Sequence, residues 1–290
     1  MRTLPLACLA VAACATTTAR KPGDPGRAAT ADVKIGRCTG VDGLEETKAA
    51  GFDYAELGVA TIARLSDEQL EAALAKHRAV GLPTPVAHGF LPADVRVTGP
   101  EADPDRQLQY VRNAFSRMAR FGVKIIVFGS PAARSVPDGF PREQAWKQLV
   151  EFGKRIAPEA QSHGIVVSVE PLRKQESNII NTAAEGLKLV QEVAHPNFEL
   201  MVDFYHLAIE KEDPDILLVA RDHIRHFHFA NPNDRVFPLD PGEYDYARFF
   251  ENIRKMGFRG GLSVEAKPKN GFAADGPRTV AFLRQALSPS

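Results

Sequence analysis

Four apolar runs in the second half of this chain each end on a residue able to bind a metal. They are Ile165-Val-Val-Ser-Val-Glu170, Phe198-Glu-Leu-Met-Val-Asp203, Ile224-Arg-His-Phe-His228 and Gly261-Leu-Ser-Val-Glu265. A charged or imidazole group at the end of a buried strand is costly unless something pairs with it. Four such groups on successive strands point to one shared partner, and a divalent cation is the simplest.

Strand side chains alternate between faces, which assigns each run a parity. Ser168 and Glu170 share a face, as do Met201 and Asp203, His226 and His228, and Ser263, Glu265 and Lys267. The opposite face carries mostly Val, Leu, Ile and Phe, suited to packing under helices. Facing inward, Glu170, Asp203, His228 and Glu265 converge on one point above a layer of Ser168, Met201, His226 and Ser263. Three carboxylates and one imidazole are hard donors, favouring Mn²⁺, Mg²⁺ or Co²⁺ over a thiolate-type zinc site. Four protein ligands leave coordination positions for a carbonyl and an adjacent hydroxyl. Glu170 and Glu265 come from separate strands and can act as paired acid and base on opposite faces of a small substrate. His226 reads as a core or supporting histidine rather than a ligand.

Upstream, four more β-like runs occur: Val33 to Cys38, Tyr54 to Val59, Pro83 to His88 and Lys124 to Phe128. Helical patterns alternate with the strands. One starts at Ser66-Asp-Glu-Gln, with an N-cap serine and an acidic first turn, and stops near Gly81. Others run from Pro104 to Arg120, Glu143 to His163, Thr182 to Val193, Pro214 to Arg221, Tyr246 to Met256 and Gly276 to Leu287. Eight β-then-α units predict a single (β/α)8 TIM barrel of the α/β class over residues 31–290. A doubly wound sheet is the alternative, but Thr39-Gly-Val-Asp-Gly43 is a poor phosphate-binding turn. The long loops from Gly89 to Pro104 and Gly129 to Pro141 read as a lid over the site.

The N-terminus reads as an export signal: Met1-Arg-Thr, then an apolar run from Leu4 to Ala13. Val11-Ala-Ala-Cys14 matches a lipoprotein cleavage box. This predicts a signal over 1–14, a flexible tether over 15–30, and a periplasmic protein or one anchored to the cell envelope through lipidated Cys14. Cys38 would then be the only other cysteine of the mature chain, so its fold needs no internal disulfide. Lys plus Arg equals Asp plus Glu, 36 each, which argues against a broad nucleic-acid surface.

With these residues in place, the chain resembles the sugar phosphate isomerase/epimerase superfamily with the xylose isomerase-like barrel. That superfamily includes ketose 3-epimerases, hydroxypyruvate isomerases, inosose dehydratases and endonuclease IV. The resemblance rests on Val169-Glu-Pro-Leu172, Val202-Asp-Phe-Tyr-His206, His226-Phe-His228 with Arg235, and Val264-Glu265. It implies that Glu170, Asp203, His228 and Glu265 bind the metal, with Glu170 and Glu265 also the acid/base pair. It further implies that His206, Arg235 and Glu176 contact a small carbohydrate, although Arg235 falls one residue later than in the epimerase pattern. Glu56 and His88 match more loosely, as groups that bind substrate hydroxyls or pair with a neighbour. Lys267 is either a contact for phosphate or carboxylate or a solvated rim residue.

The activity so implied is a metal-dependent sugar isomerase or epimerase working through an enediolate. A dehydratase using the same chemistry, or an exported barrel that binds carbohydrate without turnover, are the alternatives. A nuclease is disfavoured by the zero net charge and by only eight histidines.

Overall fold

The computed structural model describes residues 33–288. The expected signal, Cys14 and the tether lie outside them. Eight parallel strands close into a barrel in sequence order. They are β1 (Lys34–Cys38), β2 (Tyr54–Gly58), β3 (Val86–His88), β4 (Ile125–Phe128), β5 (Val166–Val169), β6 (Phe198–Asp203), β7 (Ile224–Phe229) and β8 (Gly261–Val264). The last strand returns to the first through pairs such as Ile35 with Leu262 and Gly36 with Ser263.

The expected long helices are present, at Asp67–Val80, Pro104–Arg120, Arg142–Ser162, Ala183–Val193, Ala247–Lys255 and Phe272–Leu287, with a short one at Ile216–Ala220. The first begins as its sequence requires. The Ser66 hydroxyl accepts from the Gln69 N–H, and the Gln69 side chain accepts from the Ser66 N–H. Gly81 closes it in the left-handed region, φ 65°. Four short helices were not anticipated: Leu44–Ala49, Val59–Ala63, Pro131–Arg134 and Phe204–Ile209. Each has four to six residues, too few for a helical period to show in the sequence. Among the described residues no helix is long and apolar enough to cross a membrane.

Strand parity divides the molecule into two cores. Outward-facing residues such as Ile35, Leu57, Ile126, Val167, Leu200 and Phe227 join the main cluster beneath the helices. Inside the barrel a separate small cluster of Tyr54, Val86, Val127 and Met201 plugs the lower end. The Tyr54 ring fits because its neighbours are glycines. A Cβ on Gly36 would lie 2.1 Å from Tyr54 Cε2, and one on Gly261 would lie 2.5 Å from the Tyr54 hydroxyl. That hydroxyl is 2.8 Å from Ser263 Oγ. Above this plug the interior turns polar.

The register of β6 on β7 skips one residue between the Leu200–Ile224 and Met201–His226 pairs. Such a bulge re-aims the side chains that follow it. Beyond it Asp203 stands beside His228.

The two long loops do not hang free as a lid. The Val97 N–H donates to the Ala133 carbonyl at 2.8 Å, and Thr98 Oγ1 donates to the Arg134 carbonyl at 3.0 Å. Phe90, Leu91, Val95 and Val97 of the first loop are themselves buried. They form a wall fixed by hydrogen bonds and apolar contact.

The interior plug should carry much of the barrel's stability. Tyr54→Ala is expected to cost about 3–5 kcal/mol, the usual range for deleting a buried aromatic side chain. Urea unfolding measures it; a loss under about 1 kcal/mol would show that the plug contributes little.

Candidate metal centre

Each ligand candidate is delivered by the carboxyl end of a strand. Glu170 follows β5, Asp203 ends β6, His228 lies near the end of β7, and Glu265 follows β8. One donor atom from each comes within 4.8 Å of the other three. His228 Nδ1 is 3.4 Å from Glu170 Oε1 and 3.4 Å from Glu265 Oε2. Glu170 Oε1 and His228 Nδ1 are buried and make no hydrogen bond. These two orphaned atoms belong to a set of three carboxylates and one imidazole, a donor set that fits a hard divalent cation.

The support beneath the donors fixes their orientation. Glu56 is fully buried, and both its oxygens are taken: Oε1 by His228 Nε2 at 2.9 Å, Oε2 by His226 Nε2 at 3.1 Å. Burial alone would raise the Glu56 pKa, but the two imidazoles hold it well below the usual carboxylate range. Burial would likewise lower His228, yet the Glu56 carboxylate keeps it well above its ordinary value. The pairing places the Nε2 proton against Glu56 and turns Nδ1 toward the cluster. Glu56 is therefore a support that pairs with its neighbours, not a group that faces substrate hydroxyls. It stands two residues short of the end of β2, one layer below the rim. His226, as expected, is a fully buried supporting residue; burial pushes its pKa down.

Asp203 divides its oxygens. Oδ1 accepts from the Tyr205 N–H at 2.9 Å and caps the helix Phe204–Ile209. Oδ2 faces the cluster, 3.5 Å from Arg235 Nη2 and 3.6 Å from His206 Nε2. Burial raises the Asp203 pKa to about 7. His206 Nδ1 accepts from the Arg173 N–H at 3.2 Å, so the proton of the neutral ring sits on Nε2, toward Asp203 and Glu170. Burial drives its pKa down to about 2, which keeps that ring neutral.

Arg235 stands at the rim, 2.5 Å from Glu265 and 3.4 Å from Glu176. Its guanidinium also lies over the Tyr205 ring, 4.7 Å from the centroid. Burial raises the Glu265 pKa, but His228 and Arg235 outweigh it and hold that pKa at about 2. Arg235 and the preceding Asp234 both have positive φ, 53° and 64°. Two successive non-glycine residues in that region are strained, as is typical where a loop must aim a side chain.

His88 is half-buried at the end of β3. Lys267 is exposed, and its N–H donates to the Arg235 carbonyl at 3.0 Å.

Two residues at the site were not singled out in advance. Cys38 ends β1 with Sγ 4.0 Å from His228 Nε2, and burial pushes its thiol pKa up. Applying the strand-end rule to β1 would have found it. Cys38, Glu56 and His228 also lie close enough to hold an ion, but Glu56 and His228 Nε2 are already committed to each other. Arg134 is fully buried and donates to the carbonyls of Phe128 and Ile180, tying the loops after β4 and β5. Nothing in its surrounding sequence marks it.

A family model described as a xylose isomerase-like TIM barrel matches residues 44–286. The chain belongs to the xylose isomerase-like TIM barrel family. Among curated relatives, the D-psicose 3-epimerase of Ruminiclostridium cellulolyticum is 24% identical over 228 residues, 77% of this chain and 76% of the relative. The 3-dehydro-D-guloside 4-epimerase of Escherichia coli is 25% identical over 244 residues, 82% of this chain and 91% of the relative. A crystal structure of D-psicose 3-epimerase in the presence of D-fructose superposes with a TM-score of 0.77 at 21% identity. It covers 89% of this chain and 100% of the other. The barrel and its strand order are thus those of this family.

Two substitutions test the site without touching a ligand. A Cβ on Gly129 would stand 2.3 Å from Glu170 Oε2, the free end of a side chain. Gly129→Ala is therefore expected to displace that carboxylate while the barrel still folds. Glu56→Gln removes the charge that orients His228. Each should weaken Mn²⁺ binding roughly 10–100-fold, the usual effect of disturbing a ligand's support. Titration by electron paramagnetic resonance reads the affinity and circular dichroism reads the fold. Unchanged affinity in both variants would remove these residues from the site.

Proposed function

We propose that this protein is a divalent-metal-dependent epimerase, of the isomerase class, acting on a small sugar-like hydroxy-carbonyl compound. One observation carries the reading. Glu170 and Glu265 approach His228 Nδ1 at equal distance from strands three positions apart around a closed barrel. Two carboxylates so placed can address the same carbon from opposite sides. The naming of relatives as 3- and 4-epimerases of keto sugars agrees with that chemistry.

The residues divide the work as follows. Glu265, held ionised by His228 and Arg235, takes a proton from the carbon next to the carbonyl. The electron pair of that C–H bond moves into an enediolate. A proton delivered from the Glu170 side restores the carbonyl with inverted configuration, and the reverse reaction exchanges the roles. Glu170, Asp203, His228 and Glu265 would hold the metal, which when bound supplies Lewis acidity toward the carbonyl and its neighbouring hydroxyl. Arg235, Glu176 and His206 line one side and bind hydroxyl oxygens. Arg173 braces Glu176 at 2.8 Å. The export signal belongs to this reading: a protein periplasmic or anchored through Cys14 meets free sugars rather than phosphorylated metabolites.

Incubation with ketoses in D₂O and Mn²⁺ tests the proposal. Deuterium should enter the carbon beside the carbonyl as the epimer forms. Chelation of the metal should abolish exchange, and Glu265→Gln should lower kcat/KM by roughly 10²–10⁴-fold. Net elimination of water would instead identify a dehydratase. Sugar binding with no exchange would identify a barrel without turnover.

A further inference from the structure

The His228 ring has two nitrogens, and only one of them faces the carboxylate cluster. Nδ1 stands 3.4 Å from Glu170 Oε1 and 3.4 Å from Glu265 Oε2. Nε2 points the other way, to Glu56 Oε1 at 2.9 Å and Cys38 Sγ at 4.0 Å. Sulfur, carboxylate and imidazole thus form a second cluster behind the ring, their donor atoms within 4.8 Å of one another.

Strand register builds this cluster. Cys38 of β1 lies beside Glu56 of β2. Two residues earlier Gly36 abuts the Tyr54 ring of the interior plug, so Cys38 faces the barrel interior one layer higher. Neighbouring donors of a tetrahedral zinc site stand roughly 3.3–3.6 Å apart. The 2.9 and 4.0 Å found here lie on either side of that spacing, so an ion closes the set with shifts of about half an ångström. Cys38 is partly exposed, whereas Glu56 and His228 are fully buried. The sulfur is therefore the donor that an entering ion meets first. His226 Nε2 stays on Glu56 Oε2 at 3.1 Å, which leaves Oε1 for the ion.

We propose that Cys38, Glu56 and His228 Nε2 form a site for a thiophilic cation, Zn²⁺ or Cd²⁺, and that filling it expels the hard cation from the carboxylate cluster. A neutral imidazole has one lone pair and carries its proton on the other nitrogen. While the Nε2 proton rests on Glu56, the lone pair at Nδ1 serves the carboxylate cluster. A thiophilic ion takes the lone pair at Nε2, and the proton then sits on Nδ1, directed at Glu170 and Glu265. The ring is neutral in both states, and the Cys38 proton passes to solvent as the sulfur binds. Ligand softness sorts the ions: thiolate selects zinc and cadmium, and the oxygen-rich cluster suits Mn²⁺. This site needs no turnover and stands apart from the epimerase reading.

Cd²⁺ titrated into the full-length Mn²⁺-loaded protein is the test. Ultraviolet absorption reads the cadmium–thiolate band, and electron paramagnetic resonance reads the Mn²⁺ set free. One Cd²⁺ per chain should raise the band and release Mn²⁺ in step with it. Cys38→Ser should lose the band and need at least about tenfold more Cd²⁺ for the same release, measured against its own Mn²⁺ affinity. Subtracting its spectrum cancels any signal from the other two of the three cysteines. Cys38→Ala replaces that variant if it does not fold. No Cys38-dependent band would remove the site. A band with Mn²⁺ retained would overturn the exclusion, and so would equal release from native and variant protein, which would put Cd²⁺ among the carboxylates. Failure to bind Mn²⁺ at all would bring down the carboxylate centre and the exclusion together, while the band alone would still decide the thiolate site.

Discussion

Three carboxylates crowded at the mouth of a largely apolar barrel are the constraint that organises this structure. Ionised together in a poorly hydrated space they repel and lose solvation, so the fold must bring positive charge to them. Part of the answer is internal: His228 from below, backed by Glu56, and Arg235 from the rim. Yet buried donors on Glu170 and His228 still lack a partner. A polar atom left unpaired in a buried position is expensive, and a fold keeps it for a ligand that satisfies it. The site thus makes physical sense as the coordination shell of a cation.

That demand explains how the barrel is filled. The lower interior is closed by Tyr54, Val86, Val127 and Met201, a conventional apolar plug. One layer higher the same inward positions are Glu56, Ser168, His226 and Ser263, all fully buried. An all-apolar filling would pack as well, but it would leave the His228 ring without the partner that fixes its orientation. The buried Glu56 with its two histidines costs desolvation and gives orientation in exchange, a use of burial that favours specificity over stability.

Much of this was legible in the sequence because a strand's period of two is rigid. Once Glu170, Asp203, His228 and Glu265 stood at the ends of consecutive apolar runs, parity placed Ser168, Met201, His226 and Ser263 beneath them; all four are fully buried, but Met201 belongs to the apolar plug and Glu56 takes its place in the polar layer. Parity gives the face but not the depth. Glu56 shares its face with the rim residues and was grouped with them, although β2 runs two residues further and leaves it a layer down. The helix Phe204–Ile209 was hidden because it is shorter than two turns and begins at Asp203, already read as a ligand. Arg134 was hidden for another reason. It answers to backbone carbonyls, Phe128 six residues back at a strand end and Ile180 46 residues on, and backbone carbonyls carry no side-chain signature in the sequence.

Anomalous diffraction from Mn²⁺-soaked crystals measures the position of the cation. A single strong peak per chain is expected, bounded by Glu170, Asp203, His228 Nδ1 and Glu265, with Glu56 still paired to His228 Nε2. A peak held instead by Cys38, Glu56 and His228, or no peak at saturating Mn²⁺, would contradict it.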